Sequence, residues 1–451
     1  MRTHFVTLAD RSDLLFYLAL LSLPIDGTRL GLYAPFWTPI APWLFLAYAL
    51  VNWRELPSVY RHFRVWFLFP AALIVLSGLG WATVAFHPVA ATESWTAVAG
   101  ALGTLAATDI AIRVKRLPWR DAVRTILVAY WFAFAVGVAE WLAIALDLGS
   151  VRSYFDQLMS RSYIPFDSRW GGGRPQFLFA EPSYIGMHLF GVLLPLMWLM
   201  RNLDRIYVKR LRNLIVVFAA GSVLMGAGVR IILDSLVAII IVIVERVRWR
   251  DPQARQRGVI GLTVTALIGA ASIAINGRLN SIAANGMEGD GSFFARIWQS
   301  LGPLCGLLRH PIYLLTGYGA GNIADATHNG SAMAIGILDA LHLDTGNPRT
   351  WYASMTSDTV WTMSAYTSFL TEYGIAGLAL LIALLVRHIA DRNAWSKTTV
   401  CWFVLVAYLY IQFEGYAFAA IPLLIWGIAM RFGLDPAPAA ATPSSASGRR
   451  S

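Results

Sequence analysis

Long apolar runs constrain this chain more than any other feature of its sequence. Most of these runs extend over about 18–25 residues, the length of helix that crosses a hydrocarbon core of ~30 Å. The chain is 57% hydrophobic and only 14% charged, whereas soluble domains carry about 25% charged residues. The runs lack the polar and apolar alternation of barrel strands, so the spans must be helices. We therefore predict an all-α polytopic membrane protein.

The apolar runs number twelve. The first starts near Leu14, and because no A-x-A cleavage site follows the stretch Leu21-Ser22-Leu23-Pro24, we interpret it as a retained span and not a signal peptide. The predicted spans are 13–28, 35–53, 66–86, 94–113, 122–147, 176–200, 212–229, 230–246, 258–276, 364–386, 398–413 and 415–432.

Basic residues fall mainly on one side of these spans. With a cytoplasmic N-terminus, 26 of the 36 Lys and Arg residues lie on the cytoplasmic side, including all three lysines, and 10 arginines lie outside. The positive-inside rule then places both termini in the cytoplasm. We predict that the protein lies in a bacterial inner membrane. The net charge of +10 reflects this arrangement and does not indicate nucleic acid binding. Cys305 and Cys401 have no partners at metal-ligand spacing, so neither a disulfide framework nor a zinc site is indicated.

Two outer segments, 149–175 and 277–363, are too long to be simple connectors. Active sites concentrate in such segments, and the second holds four of the ten outer arginines. The C-terminal tail is rich in Pro, Ala and Ser and is predicted to be disordered. The chain divides into 1–175 (spans one to five and the first periplasmic loop), 176–276 (spans six to nine), 277–363 (the large periplasmic loop), 364–433 (spans ten to twelve) and 434–451 (the cytoplasmic tail).

Arg230 lies between two apolar runs, in Gly226-Ala227-Gly228-Val229-Arg230, with no loop around it. An arginine so close to hydrocarbon normally faces a polar cavity or a partner. Asp234 follows four residues later on the same helix face and is positioned to pair with Arg230. Two interpretations stay open, a structural salt bridge and an anion site.

A proline and a carboxylate interrupt the start of the sixth span, between Arg174 and Tyr184. Irregular backbone at this depth is tolerated where it lines a cavity. Glu181 precedes Pro182 and either caps the first helical turn or acts in a site, for example by accepting a proton from a hydroxyl.

The segment 277–363 carries three short motifs in order. Arg296 lies in Phe294-Ala295-Arg296-Ile297-Trp298, the triplet Arg309-His310-Pro311 follows, and glycine then occupies every second position in Gly317-Tyr318-Gly319-Ala320-Gly321-Asn322. Such glycines let backbone N–H groups approach an anion, although a tight turn explains them equally well. Glu372-Tyr373-Gly374-Ile375-Ala376-Gly377 then begins the tenth span.

Taken in order, these motifs resemble the bacterial O-antigen polymerase and O-antigen ligase superfamily, of the Wzy and WaaL type. That family has a junction of small residues and arginine between two spans, as at Arg230, followed by a large periplasmic loop. The loop carries an arginine, an H-P pair and a G-x-G-x-G-N, as at Arg296, His310 and Gly317. An E-x-G-I-x-G follows, as at Glu372. The resemblance covers roughly residues 170–390, about half the chain.

The resemblance implies an inverting glycosyltransferase with a GT-C-like fold, which acts on the periplasmic face without a metal or other cofactor. Its implied substrate is an oligosaccharide on undecaprenyl pyrophosphate, and its implied partners are membrane lipids and the chain-length regulator and flippase of the same pathway. Glu181-Pro182-Ser183 is similar to exopolysaccharide and capsule polymerases. The ligase His-Asn pair is missing near Met363, and the single His-Asn is His328-Asn329. A polymerase is therefore expected, with a ligase that transfers polysaccharide to lipid A-core as the alternative.

Nine residues receive roles from this resemblance and from their position. Guanidinium groups match phosphate oxygens bidentately, so arginines suit a pyrophosphate site. The expected pyrophosphate-binding residues are Arg174, Arg230, Arg296, Gly317, Gly319 and Gly321. The expected catalytic residues are Glu181, His328 and Glu372, with Glu181 favoured over His328 as the base for the acceptor hydroxyl. Outer aromatic residues either stack on sugars or anchor the chain at the interface; they include Trp170, Phe293, Phe294, Trp298, Tyr318 and Trp351.

Two other classes of protein remain as alternatives. A polysaccharide or lipid-linked sugar transporter has a similar number of spans, but it is expected to show internal repeats and charged residues near mid-membrane. We see no repeat, and Glu140 is the one deep carboxylate. A non-catalytic protein of a polysaccharide secretion complex is the third possibility.

Overall fold

The computed structural model describes residues 6–31, 38–168, 171–413 and 418–430. Within these ranges the chain is helical and forms no β-strand, apart from one isolated bridge between Thr28 and Met159. The prediction of an all-α chain is confirmed for these residues. The predicted cytoplasmic tail at 434–451 lies outside them.

Eight helices form the first part of the bundle. Two of the apolar stretches pass through a π-helical turn, Ile110–Val114 after the fourth helix and Leu189–Leu193 between the last two. The helices are α1 (Asp13–Leu21), α2 (Ala41–Val51), α3 (Leu56–Thr83), α4 (Pro88–Asp109), α5 (Trp119–Ala145), α6 (Gly149–Leu158), α7 (Ile185–His188) and α8 (Leu194–Met200).

Short polar side chains fix where the next helices begin. Asp204, Asp251 and Asn276 each accept a hydrogen bond from a backbone N–H in the first turn of the helix that follows, which satisfies a donor that the helix itself leaves without a partner. The helices are α9 (Arg205–Leu224), α10 (Val229–Arg246), α11 (Pro252–Ile275) and α12 (Gly277–Asn285).

The segment 277–363 folds into helices around a small core of its own, which includes Phe294, Trp298 and Tyr352. Its two longest helices pack backbone against backbone, because a Cβ at Gly306 would overlap the carbonyl group of Ala326. After α12, the helices are α13 (Gly291–Arg309), α14 (Pro311–Thr316), α15 (Ile323–Ala340) and α16 (Gly346–Ser354). The helical part of the predicted loop is thus larger than its irregular part.

Three apolar helices close the described chain, α17 (Ala365–Asp391), α18 (Lys397–Leu409) and α19 (Ala420–Met430). Among the described residues, six helices are long and apolar enough to cross a membrane, Trp53–Thr83, Pro88–Val114, Trp119–Ala145, Pro182–Met200, Pro252–Ile275 and Ala365–Asp391. Shorter apolar helices occupy Ala41–Val51, Lys397–Gln412 and Ala420–Met430. The structure is therefore consistent with a helical membrane protein.

The long apolar helices do not establish the predicted count of twelve spans. A helix overlaps each of the twelve predicted spans. However, α1 has nine residues, and at a rise of about 1.5 Å per residue it is roughly 13 Å long. Such a helix covers less than half of a hydrocarbon core of ~30 Å. Twelve spans stay a prediction.

Basic connectors between the helices meet at one end of the bundle, which we call the basic end. Contacts there join Lys115 with Asp10, Arg120 with Asp204, Arg201 with Glu245, Lys397 with the Val247 carbonyl and Arg392 with the His62 carbonyl. At the opposite end, which we call the loop end, α3 and α4 contact the segment 277–363 through Thr83 with Tyr313, Trp81 with Ala320 and His87 with Asp325. The basic connectors thus lie at one end of the bundle, and the segments with fewer basic residues lie at the other.

Candidate functional site

A cavity of about 1060 Å³ lies at the loop end of the bundle. It is lined by the stretch 161–183, by the first turns of α10, and by α12 and α13. Five guanidinium groups line it, those of Arg161, Arg174, Arg230, Arg278 and Arg296. Glu181 lines it as well. The fold thus brings together four of the nine predicted site residues, Arg174, Glu181, Arg230 and Arg296, from three distant parts of the sequence.

Apolar side chains form another wall of this arginine cavity. They come from the ends of α10 and α11 that lie nearest the cavity and from the two helices that follow, and they are Leu233, Ile273, Leu279, Ile282, Ala283 and Phe293. The cavity therefore offers both cationic groups and apolar surface, a combination that suits an anion attached to a hydrocarbon chain.

Arg230 makes the salt bridge that the sequence predicts. Its Nε lies 2.7 Å from Oδ1 of Asp234, and the Tyr408 hydroxyl donates to the same oxygen at 3.0 Å. The guanidinium also lies over the Tyr408 ring, 5.2 Å from its centroid. Gly186 makes room for this arrangement, because a Cβ there would overlap the Asp234 carboxylate. Arg230 is at once paired and part of the cavity wall, so the two interpretations of this residue are compatible.

Glu181 does not cap a helix through its side chain. The turn after it, Pro182–Tyr184, is a single 3₁₀ turn without a side-chain cap. Instead the carboxylate pairs with Arg161, accepts from the Ser183 hydroxyl at 2.6 Å and lies 3.9 Å from Nη2 of Arg296. Of the two sequence interpretations, the geometry favours a role in the cavity.

Burial and mutual repulsion act on the arginines of the cavity that lie outside the apolar helices. Burial lowers the pKa of Arg296, and the neighbouring charge of Arg230 lowers that pKa further. Burial likewise lowers the pKa of Arg174, with a further contribution from Arg278. Guanidinium nevertheless stays charged at any physiological pH. The neighbouring positive charges therefore repel each other, and a bound anion would relieve this repulsion.

Tyr163 separates two of these cations. Its ring lies 5.6 Å from the guanidinium carbon of Arg161 and 5.2 Å from that of Arg174, which places two cations against one aromatic ring. Nε of Arg174 also donates to the Gly171 carbonyl at 2.9 Å. Stacking and this hydrogen bond orient Arg174 toward the cavity.

The glycine motif lies outside the cavity. The Gly317 and Gly319 amides donate to the carbonyls of Tyr313 and Glu372 at 2.7 and 3.0 Å, and the Gly321 amide donates to Oε1 of Glu372 at 2.9 Å. All three glycines have φ between +81° and +90°, and a Cβ at Gly317 would overlap the Glu372 carbonyl. These amides are therefore used in a tight turn against α17, and their position does not support the expectation that they bind pyrophosphate in the cavity.

Glu372 is part of the same turn and is also absent from the cavity lining. Its side chain is buried and accepts from the Ser94 hydroxyl at 2.5 Å in addition to the Gly321 amide. The geometry thus assigns Glu372 to holding the glycine turn between α4 and α17. This position does not support a catalytic role in the cavity, and the role that the resemblance implies for Glu372 stays a prediction.

His328 is exposed on α15 and does not line the cavity. The expectation that it acts as a base for a substrate in this cavity is therefore not supported by its position. Its exposure follows from the packing of α15, which buries Thr327 and Gly330 against α13 and so turns its neighbour outward.

Most of the predicted sugar-stacking aromatics belong to the packed core. Phe294, Trp298 and Tyr318 are buried, and Trp351 packs edge-on against Trp298. Phe293 lines the cavity. Trp170 lies outside the described residues.

Several residues of the cavity were not singled out by sequence reasoning. Arg161 and Arg278 were only two of ten outer arginines, and Tyr163, Asp290 and Trp361 carried no motif. Asp290 forms a two-bond pair with Arg278, at 2.7 and 2.9 Å. The one sequence feature that included Arg161 and Arg278 was the absence of lysine among the outer basic residues.

The fold and this cavity define a class, a helical protein with candidate membrane-crossing helices and an arginine-lined cavity at one end. Among the described residues, no group of three or more His, Cys, Asp or Glu side chains is placed to hold a metal ion. Comparison of the chain with protein-family models and with curated proteins gave no match.

Proposed function

We propose that this protein is a metal-independent glycosyltransferase that acts on a saccharide carried by a lipid pyrophosphate, with undecaprenyl pyrophosphate as the lipid. The observation that carries the proposal is the arginine cavity, in which five guanidinium groups, the carboxylates of Glu181 and Asp290 and an apolar wall converge. Its volume of about 1060 Å³ is at the upper end of the range for ligand sites, about 300–1,000 Å³.

The charge balance of the cavity fits a pyrophosphate. Its five arginines are accompanied by three carboxylates, Asp234, Asp290 and Glu181, each in an ion pair with one of them. The local excess is therefore two positive charges, and a pyrophosphate diester carries two negative ones. Guanidinium groups bind such oxygens in pairs of parallel hydrogen bonds, and a cluster of one sign of charge concentrates the opposite ion.

The proposed reaction is a single displacement at the anomeric carbon. The bond from that carbon to the pyrophosphate oxygen breaks, and the acceptor hydroxyl oxygen forms the new bond from the opposite face, so the configuration inverts. The hydroxyl proton passes to Glu181, as in general base catalysis. The leaving pyrophosphate gains charge as the bond breaks, and Arg230 and Arg296 stabilise that charge in place of a metal cation.

Binding of the donor would also release the base. Glu181 is paired with Arg161 and lies 3.9 Å from Nη2 of Arg296. A pyrophosphate competes for the same guanidinium groups, and each hydrogen bond that it gains leaves Glu181 less tightly held. Glu181 then becomes available to accept the proton only when the donor is in place.

Among glycosyltransferases, we propose a polymerase of lipid-linked repeat units in a bacterial inner membrane. Glu181-Pro182-Ser183 lies in the cavity, and its similarity to exopolysaccharide polymerases is the basis for this choice. The proposal includes twelve spans, cytoplasmic termini, a GT-C-like arrangement and a cavity on the periplasmic face. A chain-length regulator and a flippase are the expected protein partners.

The test is extension of purified lipid-linked repeat units by the purified protein, followed as a ladder on a gel. Arg296→Gln should lose both donor binding and extension. Arg309→Gln is the matched control, because Arg309 lies on the same helix, is exposed and is absent from the cavity lining. The proposal is wrong if the parent protein binds the donor without transferring the saccharide, or if Arg296→Gln matches Arg309→Gln.

A further inference from the structure

The stretch that carries the cavity residues Arg174 and Glu181 is irregular yet buried. From Pro175 to Glu181 it forms no helix, and the side chains of Gln176, Phe177 and Ala180 are inaccessible to solvent. Phe177 and Leu178 adopt φ values of +59° and +74°, in the left-handed region that side chains other than glycine rarely occupy. Something other than local preference must hold this backbone.

Glu140, near the C-terminal end of α5, holds one half of the stretch. Its Oε2 accepts hydrogen bonds from the backbone N–H groups of Gln176 and Phe177, at 2.8 and 2.9 Å. An unpaired N–H group in a dry environment costs several kcal/mol by the general estimate. One carboxylate oxygen thus satisfies two amides at the point where the chain enters the left-handed region.

Asp26 holds the other half from the opposite side. Its Oδ1 accepts from the Ala180 N–H at 2.8 Å, directly before Glu181. Its Oδ2 lies 3.0 Å from Nε2 of His188, whose Nδ1 lies 2.9 Å from the Tyr130 hydroxyl. With Nε2 as the donor to Asp26, Nδ1 accepts from Tyr130. The chain of contacts fixes the rotamer of Asp26 and, through it, the position of Ala180.

We infer that Glu140 and Asp26 are positioning residues, which act as hydrogen-bond acceptors that fix the 176–180 backbone so that Arg174 and Glu181 face the arginine cavity. The inference rests on the proposed function for its activity readout, but not for its structural one. It gives Glu140 a role other than the charge movement that a transporter would require.

Substitutions can separate the effect of side-chain length from the effect of charge at Glu140 and Asp26. Glu140→Gln removes the charge but keeps an oxygen at the same distance, and that oxygen accepts from both amides. Glu140→Asp keeps the charge but is one methylene shorter, so the oxygen no longer reaches them. Asp26→Asn likewise removes the charge and keeps the oxygen in place, whereas Asp26→Glu keeps the charge but is one methylene longer and displaces the oxygen from the Ala180 amide. In Asp26→Asn the amide donates to Nε2 of His188, and the imidazole adopts the other tautomer.

Thiol labelling reports on the cavity independently of activity. Ser292→Cys places a thiol in the cavity wall, and the natural Cys305 and Cys401 are buried. A negatively charged methanethiosulfonate reagent should react there about tenfold or more faster than a positively charged one, because the arginines concentrate anions. Ser354→Cys is the control, since Ser354 is exposed on α16 and absent from the cavity lining.

The experiment combines these variants in the full-length protein. Glu140→Gln and Asp26→Asn should keep the labelling preference and extend repeat units within about threefold of the parent, with an unchanged pH profile. Glu140→Asp and Asp26→Glu should lose most of the preference and lower kcat at least tenfold. The thiol of Ser354→Cys should show the same relative rates with the two reagents in the parent and in all four variants.

Two results would overturn the inference. One is the reverse pattern, in which Glu140→Asp is active and Glu140→Gln is inactive, because the charge would then be essential. The other is an unchanged labelling preference in all four variants. If the parent protein extends nothing but the labelling pattern holds, the proposed function fails and the positioning role stands. If a Glu140 variant does not fold, the Asp26 pair gives the same contrast independently.

Discussion

Removal of Arg230 should have two separable consequences, one for stability and one for activity. The side chains of Arg230 and Asp234 are 10% and 1% exposed, so Arg230→Ala leaves a buried carboxylate without its cation. Breaking a buried pair in this way costs about 3–5 kcal/mol. A loss of activity in Arg230→Ala alone would therefore not distinguish a binding role from poor folding.

The double variant Arg230→Ala with Asp234→Asn resolves this ambiguity. Asp234→Asn removes the charge but keeps an oxygen that accepts from the Tyr408 hydroxyl, as Oδ1 does at 3.0 Å in the parent. Most of the lost stability should return. Activity should stay about 10²–10³ lower than in the parent, by analogy with the loss of one donor from an oxyanion hole.

Arg230→Lys tests the geometry of the charge. Nε of Arg230 serves Asp234 at 2.7 Å, so the remaining guanidinium nitrogens can bind a pyrophosphate at the same time. A lysine has one ammonium group and must divide it between the two anions. This variant should fold like the parent and retain far less activity than its charge alone would predict.

The measurements are thermal unfolding in detergent, donor binding and extension of lipid-linked repeat units. Asp234→Asn alone is the matched control for the double variant. Recovery of parental activity in the double variant would refute the reasoning, because Arg230 would then serve only to neutralise Asp234.

Four further results are expected. A cysteine at Asn285 should be labelled from outside the cell and one at Gln253 should not, and the reverse labelling would overturn the orientation. Extension should continue in EDTA, and a loss that Mg²⁺ or Mn²⁺ restores would refute the metal-independent mechanism. Glu181→Gln should bind donor without extending it, while His328→Ala should match the parent; equal losses in both would contradict the separation seen in the structure. Gly317→Ala should unfold at lower temperature because a Cβ there would overlap the Glu372 carbonyl, and unchanged stability would show that the turn is not tightly packed.

The sequence was most informative about the positions of cations. Arg230 could be selected because arginine near hydrocarbon is costly and rarely placed without a partner. Arg174 and Arg296 were selected from their outer position and from the motifs that contain them, and all three arginines line the same cavity. The composition of the spans and the asymmetry of the connectors predicted the helical class and the two ends of the bundle. These features can be recognised in a single sequence because each depends on one residue type and its distance from an apolar run.

The glycine motif could not be interpreted from one residue type in the same way. Glycine at every second position fits both an anion-binding loop and a tight turn, and the choice depends on what the amides face. Here they face carbonyls of the same region and the carboxylate of Glu372, which lies 51 residues from Gly321 in sequence. No local pattern reveals that pairing, so the sequence alone does not show that Gly321 and Glu372 lie together outside the lining of the arginine cavity.

Glu140 was equally hard to interpret, and the use that it shares with Asp26 suggests how such a carboxylate can be interpreted. Asp26 and Glu140 both accept backbone N–H groups from the stretch 176–180. Backbone that leaves the helix in a dry environment has donors that must be satisfied by other parts of the protein, and a carboxylate on a neighbouring helix is a strong acceptor. A carboxylate inside one apolar run therefore gains meaning when another run starts with an irregular stretch, as at Pro175 and Pro182. In such a pair of runs the carboxylate is expected to fix the backbone, and the side chains carried by that backbone are the ones to test for function.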